Sequence, residues 1–447
     1  MRLTVIGTGY VGTVHAACMA DIGHEVLGID IDAERIASLS AGHAPVHEPG
    51  LSELLARTVR SGRLRFTTSL AQGSRFARTH FVCVGTPQRP DGKAADLRHV
   101  DAVVDGLVPH LRPGSLVVGK STVPVGTAAR LGRRVAAAAG DCQVAWNPEF
   151  LREGSAVHDT MHPERIVVGV TSERADAVLR RVYGPMLRAG APYFRTDPAT
   201  AELVKVASNS FLAAKISFIN AMAEVCEAAG ADVRLLARAI GADSRIGPRF
   251  LAPGLGFGGS CLPKDIRAFT ARAEELGANE VVALLNEVDR INTRQRGRTV
   301  ELARKLVGGD FSGRRIGVLG ASFKPGSDDV RDSPALAVAE AMQDEGAHVR
   351  VHDPEALDSA RAARPGLSYA LDVHKACEEA DLVLHLTAWP DYGRLDPAAL
   401  AAVVRRPLLL DARNALDEES WRAAGWDLHA LGRPLRHEAD LAVDGVS

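Results

Sequence analysis

The run Leu3-Thr4-Val5-Ile6-Gly7-Thr8-Gly9-Tyr10-Val11-Gly12 decides the fold. Leu3 to Ile6 reads as a short apolar strand, and the glycines follow at the spacing GxGxxG before a helix-like run through Met19 that ends near Gly23. Gly7 permits the turn, Gly9 lets a pyrophosphate approach the backbone, Gly12 allows close helix packing, and the helix N-terminus favours phosphate. The glycines alone are weak evidence. They gain weight from a second strand, Glu25 to Ile29, ending in Asp30, whose carboxylate can accept hydrogen bonds from a ribose and would repel a 2′-phosphate. Gly7, Gly9, Tyr10, Val11, Gly12 and Asp30 are therefore expected to bind NAD rather than NADP. Arg35 is a basic candidate beside them, or an ordinary solvated helix arginine.

Working outward, apolar segments at His80 to Val84, Leu116 to Gly119 and Gln143 to Trp146 each end in a polar loop. Ligands gather at the carboxyl ends of strands in an open α/β sheet, so these loops are candidate binding segments. The first two hold Thr86 and Thr122 in proline-containing turns, which structure alone would also explain. The third, Asn147-Pro148-Glu149-Phe150-Leu151-Arg152-Glu153-Gly154, carries two glutamates able to accept a proton or orient water.

Asp197-Pro198 reads as a helix cap and first helical residue, with no breaker before Gly230, so a helix of about 32 residues and roughly 48 Å is expected. Glu202, Lys205 and Asn209 share one of its faces. Such a Glu/Lys pair is usually solvated, yet Lys205 and Asn209 lie among apolar residues, where a lysine needs a purpose. Further on, Gly258-Gly259-Ser260-Cys261-Leu262-Pro263-Lys264-Asp265 puts a thiol, an amine and a carboxylate behind a glycine turn, with Pro263 early in a helix. A cysteine beside a helix N-terminus and a lysine favours the nucleophilic thiolate.

From Phe311 a second α/β unit begins, with strands at Arg315 to Leu319, His348 to Val351, Leu382 to Leu386 and Leu408 to Leu410. Its first loop, Phe323 to Arg331, lacks the dinucleotide glycines and offers Lys324 and Arg331 to a different phosphate-bearing ligand. The expected fold is α/β: two Rossmann-like doubly wound domains, 1–196 and 311–435, joined by a long central helix and a helical region over 197–310, with a flexible tail at 436–447. Fifty-three basic against 55 acidic side chains argue against nucleic acid or an anionic membrane as partner. No apolar run approaches the ~20 residues that span a bilayer. The cysteines, Cys18, Cys83, Cys142, Cys226, Cys261 and Cys377, are scattered without metal spacing, so no metal is expected. That scatter, and an N-terminus without signal-peptide features, lead us to expect a cytoplasmic protein.

Taken in order, these motifs resemble the nucleotide-sugar 6-dehydrogenases, the family of UDP-glucose and GDP-mannose dehydrogenases, over nearly the whole chain from Gly7 to about Asn414. The resemblance implies a four-electron oxidation of a sugar hydroxymethyl to a carboxylate, using two NAD in succession, and a homodimer through the long helix. Cys261 would carry thiohemiacetal and thioester intermediates, Lys205 would stabilise oxyanions, and Asn209 would bond the reacting oxygen. Asp265 and Thr122 would hold a water, with Glu149 as the base in thioester hydrolysis. Cofactor contacts would extend to Arg35, Thr86, Thr122, Glu153, Lys264 and Arg331. Substrate contacts would fall on Glu149, Phe150, Leu151, Arg152, Glu153, Lys205, Asn209, Arg245, Phe250, Leu251, Gly258, Cys261, Phe323 and Lys324. Asp243-Ser244-Arg245-Ile246-Gly247 and Gly256 look more like the UDP-glucose enzymes. A two-electron hydroxyacid dehydrogenase would not need Cys261, and a non-catalytic sensor would have lost the thiol, lysine or glutamate.

Overall fold

Short apolar strands alternating with helices build two sheets, the first mainly and the second wholly parallel, in the computed structural model, which describes residues 1–434. The expected tail at 436–447 lies outside the described residues. The chain divides into two units, one of Met1–Asn209 with Arg267–Ala278, the other of Ser210–Ile266 with the chain from Asn279 on.

The first unit holds eight strands: β1 Arg2–Ile6, β2 Glu25–Ile29, β3 Leu64–Thr67, β4 Thr79–Val82, β5 Leu116–Gly119, β6 Gln143–Trp146, β7 Ile166–Gly169 and β8 Tyr193–Thr196. Their order is β3-β2-β1-β4-β5-β6-β7-β8. Leu3, Val5, Phe81 and Val118 are fully buried, as expected of parallel strands covered on both faces. The pairing of β6 with β7, Trp146 opposite Gly169, is antiparallel, so β7 and β8 extend the sheet in the reverse direction. The order reverses between β1 and β4, and the crevice at their carboxyl ends is where such sheets bind ligands.

The second unit holds β9 Arg315–Leu319, β10 His348–His352, β11 Ser368–Tyr369, β12 Leu382–His385, β13 Leu408–Asp411 and β14 Asp427–Ala430. The order β11-β10-β9-β12-β13-β14 repeats the first six strands of the other sheet, all parallel. Pro198–Ala229 is a single helix of 32 residues. Asp197 starts it by accepting from the Thr200 amide at 2.9 Å and hydroxyl at 2.6 Å, and Gly230, at φ +74°, follows its end. Among the described residues no helix is long and apolar enough to cross a membrane.

Candidate active site

At the dinucleotide edge each glycine answers to its own steric demand. Gly7 sits at φ +88° with β4's continuation at Val84 2.7 Å from where a Cβ would stand. A Cβ on Gly12 would lie 1.8 Å from the Gly7 carbonyl, so only glycine lets the helix Tyr10–Asp21 approach the turn this closely. Around Gly9 nothing lies within 4 Å, which leaves the backbone open to a ligand. At the end of β2, Asp30 Oδ2 accepts from the Thr8 amide at 2.8 Å and the Thr8 hydroxyl at 3.1 Å, and Oδ1 from the Asp32 amide at 3.2 Å. Burial opposes ionisation of Asp30, but these donors and Arg35 outweigh it and hold the carboxyl below its ordinary value. Arg35 pairs with Asp30 at 3.2 Å and with Asp32 at 3.5 Å. The open backbone at Gly9 and the ionised Asp30 fit an NAD diphosphate and ribose.

Two loops of the same unit are pinned by buried carboxylates that periodicity does not reveal. Glu202 turns out not to be half of a surface pair with Lys205. It is buried, accepting from the Gly126 amide at 2.7 Å and the Ala128 amide at 2.6 Å, and so caps the helix Thr127–Ala139 behind the Thr122 turn. Lys205, with 6% of its side chain exposed, pairs instead with Glu149 Oε1 at 3.1 Å. Glu149 Oε2 accepts from the Leu151 amide at 2.9 Å, so the glutamate loop folds back on its own carboxylate. The far end of that loop is held by Glu48, which accepts from the amides of Gly154 and Ala156, both at 2.7 Å, and from the Tyr10 hydroxyl. Tyr10 therefore joins the dinucleotide helix to the glutamate loop.

In the second unit Cys261 immediately precedes the helix Leu262–Glu275 and is exposed, while Asp265, one turn in, is 2% exposed. The Asp265 amide donates to the Cys261 carbonyl at 2.9 Å, and Lys264 Nζ donates to Asp265 Oδ1 at 2.6 Å. The turn ahead of the thiol is built on its neighbours' backbone. Gly259, at φ +84°, donates its amide to the Arg331 carbonyl at 2.9 Å, and a Cβ there would strike the Phe323 ring at 2.7 Å. Asn292, on the helix Asn279–Leu306, exchanges two hydrogen bonds with the Phe257 backbone, at 2.8 and 3.0 Å. Arg413 donates to the Gly256 carbonyl at 2.9 Å and the Leu386 carbonyl at 2.6 Å; burial pulls it down to about 10. Asn292 and Arg413 carry no motif, and only their hydrogen bonds to distant backbone mark them.

The remaining expected residues are dispersed. The Thr86 hydroxyl donates to the Thr122 carbonyl at 2.7 Å, bringing two expected cofactor positions together. Phe150 lies under the Arg165 guanidinium at 4.0 Å, and Arg152 pairs with Asp159 at 2.6 Å. Glu153 is half-buried near Tyr10, and its charge disfavours the phenolate. Asn209 is buried on the long helix one turn beyond Lys205. Arg245 is exposed and pairs with Asp243 at 2.6 Å, while Arg331 pairs with Asp329 at 2.6 Å. Phe250 adopts φ +65° before the buried Leu251, and Lys324 stands 5.6 Å over the Phe323 ring.

Comparison with known proteins assigns three segments of the chain to one family. Residues 1–187 match the NAD binding domain of the UDP-glucose/GDP-mannose dehydrogenase family, 199–294 its central domain and 317–418 its UDP binding domain. A UDP-glucose 6-dehydrogenase of Rhizobium meliloti is 43% identical over 97% of this chain and 100% of its own length. The solved structure of a UDP-glucose dehydrogenase from Pyrobaculum islandicum superposes with a TM-score of 0.89 at 40% identity, covering 97% of this chain and 98% of that one. A UDP-D-ManNAc dehydrogenase from Pyrococcus horikoshii follows at 0.86 and 26%, over 97% and 99%. The chain belongs to the UDP-glucose/GDP-mannose dehydrogenase family.

Proposed function

We propose that this chain oxidises the C6 hydroxymethyl of UDP-glucose to a carboxylate through a thioester on Cys261. The observation that carries the reading is an exposed thiol set directly before a helix N-terminus, with Lys264 and the buried Asp265 in its first turn. An alcohol oxidation that stopped at two electrons would need a base but no nucleophile. Gly7, Gly9, Gly12 and Asp30 would hold NAD, which would supply the hydride acceptor for each of the two oxidations at C6. Asn209 and Lys205 bond the C6 oxygen as its proton passes to water, leaving the aldehyde. The Cys261 thiolate adds to that carbon, forming a C–S bond, and the second hydride loss turns this thiohemiacetal into a thioester. Glu149 takes a proton from water held by Asp265 and Thr122. The hydroxide attacks, the C–S bond breaks, and the acid leaves as the thiolate is restored. The Lys205–Glu149 contact at 3.1 Å supports a proton passing between these two groups.

The domain division 1–196, 197–310 and 311–435, a cytoplasmic location, and substrate contacts at Arg245, Phe323 and Lys324 belong to the same reading. So does a homodimer on the long helix. Phe211, Phe218 and Val225 recur at seven-residue spacing on it and are 68, 52 and 55% exposed, an apolar stripe that a second copy would cover. Phe218→Glu should shift the sedimenting species from dimer to monomer, and an unchanged species would remove the stripe from the interface.

The deciding experiment counts NADH released per sugar at completion, with UDP-glucose, GDP-mannose and an N-acetylated UDP-hexosamine tested in parallel. Two NADH per UDP-glucose is expected. One NADH, or none with any sugar, would discard the thioester route.

A further inference from the structure

Lys120 stands at the carboxyl end of β5, 7% exposed, and its ammonium makes no ion pair among the described residues. Both of its hydrogen bonds go to one residue, Asn147, at 3.1 Å to the side-chain oxygen and 3.4 Å to the carbonyl. Burying an ammonium against neutral oxygens is costly, and a methionine would fill the same space without that cost. The placement of Asn147 is unusually complete. Its Oδ1 also accepts from the Tyr183 hydroxyl at 2.5 Å, its Nδ2 donates to the Val167 carbonyl at 2.8 Å, and its amide donates to the Gly119 carbonyl at 2.8 Å. Two residues further on stands Glu149, bonded to Lys205.

We propose that Lys120 is a positioning residue for the dehydrogenase reaction, holding the Asn147-Pro148-Glu149 turn in place and biasing the ionisation of the Glu149–Lys205 pair with its buried charge. This role rests on the activity argued above. The charged and titratable groups facing Lys120 are His15 from the dinucleotide helix, Cys83 beyond β4, Glu149 beyond β6 and Lys205 from the long helix, with Tyr183 behind Asn147. His15 is buried and held neutral, and burial pushes the Cys83 thiol up to about 12. Glu149 and Lys205 are thus the groups left for the ammonium to act on near neutral pH. The ammonium lies close enough to act electrostatically on both across the Asn147-Pro148-Glu149 turn.

The test is the pH profile of kcat/KM for UDP-glucose with the full-length protein carrying Lys120→Met or Lys120→Gln. Wild-type turnover tests the activity, and only the difference between wild type and variants tests Lys120. Without the charge, the acid limb should move to higher pH by about half a unit or more, with KM for NAD little changed. A purely structural role would lower the rate equally at all pH values. Lys120→Gln keeps a donor for Asn147 and covers the case in which Lys120→Met does not fold. A shifted limb in Lys120→Gln supports the role; an unshifted limb in that variant, at any rate, overturns it. A wild-type protein without turnover removes the reaction and this role with it.

Discussion

The two sheets share a strand order, and each ends its second strand in an aspartate that gathers the loop after the first, yet the two edges are built for different work. In the first unit, Asp30 accepts from the Thr8 amide and hydroxyl, and the helix starts at Tyr10, so the helix N-terminus stands against the strand end. In the second, Asp353 accepts from the amides of Ala321 and Ser322 at 2.8 and 2.9 Å and is sealed by the Trp389 indole at 3.1 Å. There the chain runs from Gly320 to Ser333 before the helix Pro334–Asp344 begins. That long loop supplies Phe323, Arg331 and Asp332, the surfaces on which Gly258 and Gly259 of the cysteine turn rest. One edge thus leaves bare backbone open at Gly9, while the other uses its loop to shape the segment that carries the exposed Cys261 thiol.

This contrast can be broken by experiment, most forcefully at the thiol. Cys261→Ser should remain folded and bind NAD as wild type does, while full turnover falls by about a thousandfold or more; near-normal production of acid would end the assignment of the second edge to covalent chemistry. Next in size is Gly259→Ala. With φ at +84° and Phe323 2.7 Å from the new Cβ, the turn must shift at a cost of about 1–3 kcal/mol. The expected result is a large loss in kcat with NAD affinity intact, and a matching loss of NAD affinity would show that the two edges are not separable. On the first edge, Asp30→Asn should raise KM for NAD about tenfold and change kcat by less than about threefold. Initial rates over a range of NAD check this, and an unaltered KM would take Asp30 out of cofactor binding.

The smallest effect sharpens the picture of the first unit's buried carboxylates. Burial pushes Glu202 up to about 7 against an ordinary 4.5, although the Ala128 and Gly126 amides and Arg272 oppose it. Between these values the unfolded chain releases the proton first. The stability this group contributes is therefore full below 4.5 and declines as pH rises through 7. Urea midpoints at about pH 5 and about pH 7.5 should show wild type losing ground to Glu202→Gln at the higher pH. A gap that does not change with pH would mean that Glu202 titrates normally.

Much of this molecule was legible because its chemistry is local in sequence. The GxGxxG turn, the cysteine turn and the Pro198–Ala229 helix each declare themselves within a few residues, and the helix begins and ends at the expected breakers. Strands β3, β7, β8, β11 and β14 were not read. Tyr193–Thr196 and Ser368–Tyr369 lack buried runs, and Ile166–Gly169 is too short to be told from helix by periodicity. The supports of the site were hidden for another reason. Glu48, Lys120, Asn292 and Arg413 act on backbone far away in the chain, and Glu202 looked like half of an ordinary helix-surface pair until its partners were seen to be amides beyond Pro124.

The Glu48 clamp has a consequence for how the protein can be watched at work. The amides of Gly154 and Ala156 are both held at 2.7 Å by a carboxylate more than a hundred residues earlier, which also takes the Tyr10 hydroxyl. Their hydrogens can exchange with solvent only when that clamp opens. Deuterium uptake at these two positions is therefore a label-free clock, seated on the glutamate loop and wired to the dinucleotide helix. It reads in seconds to hours how often the loop lets go.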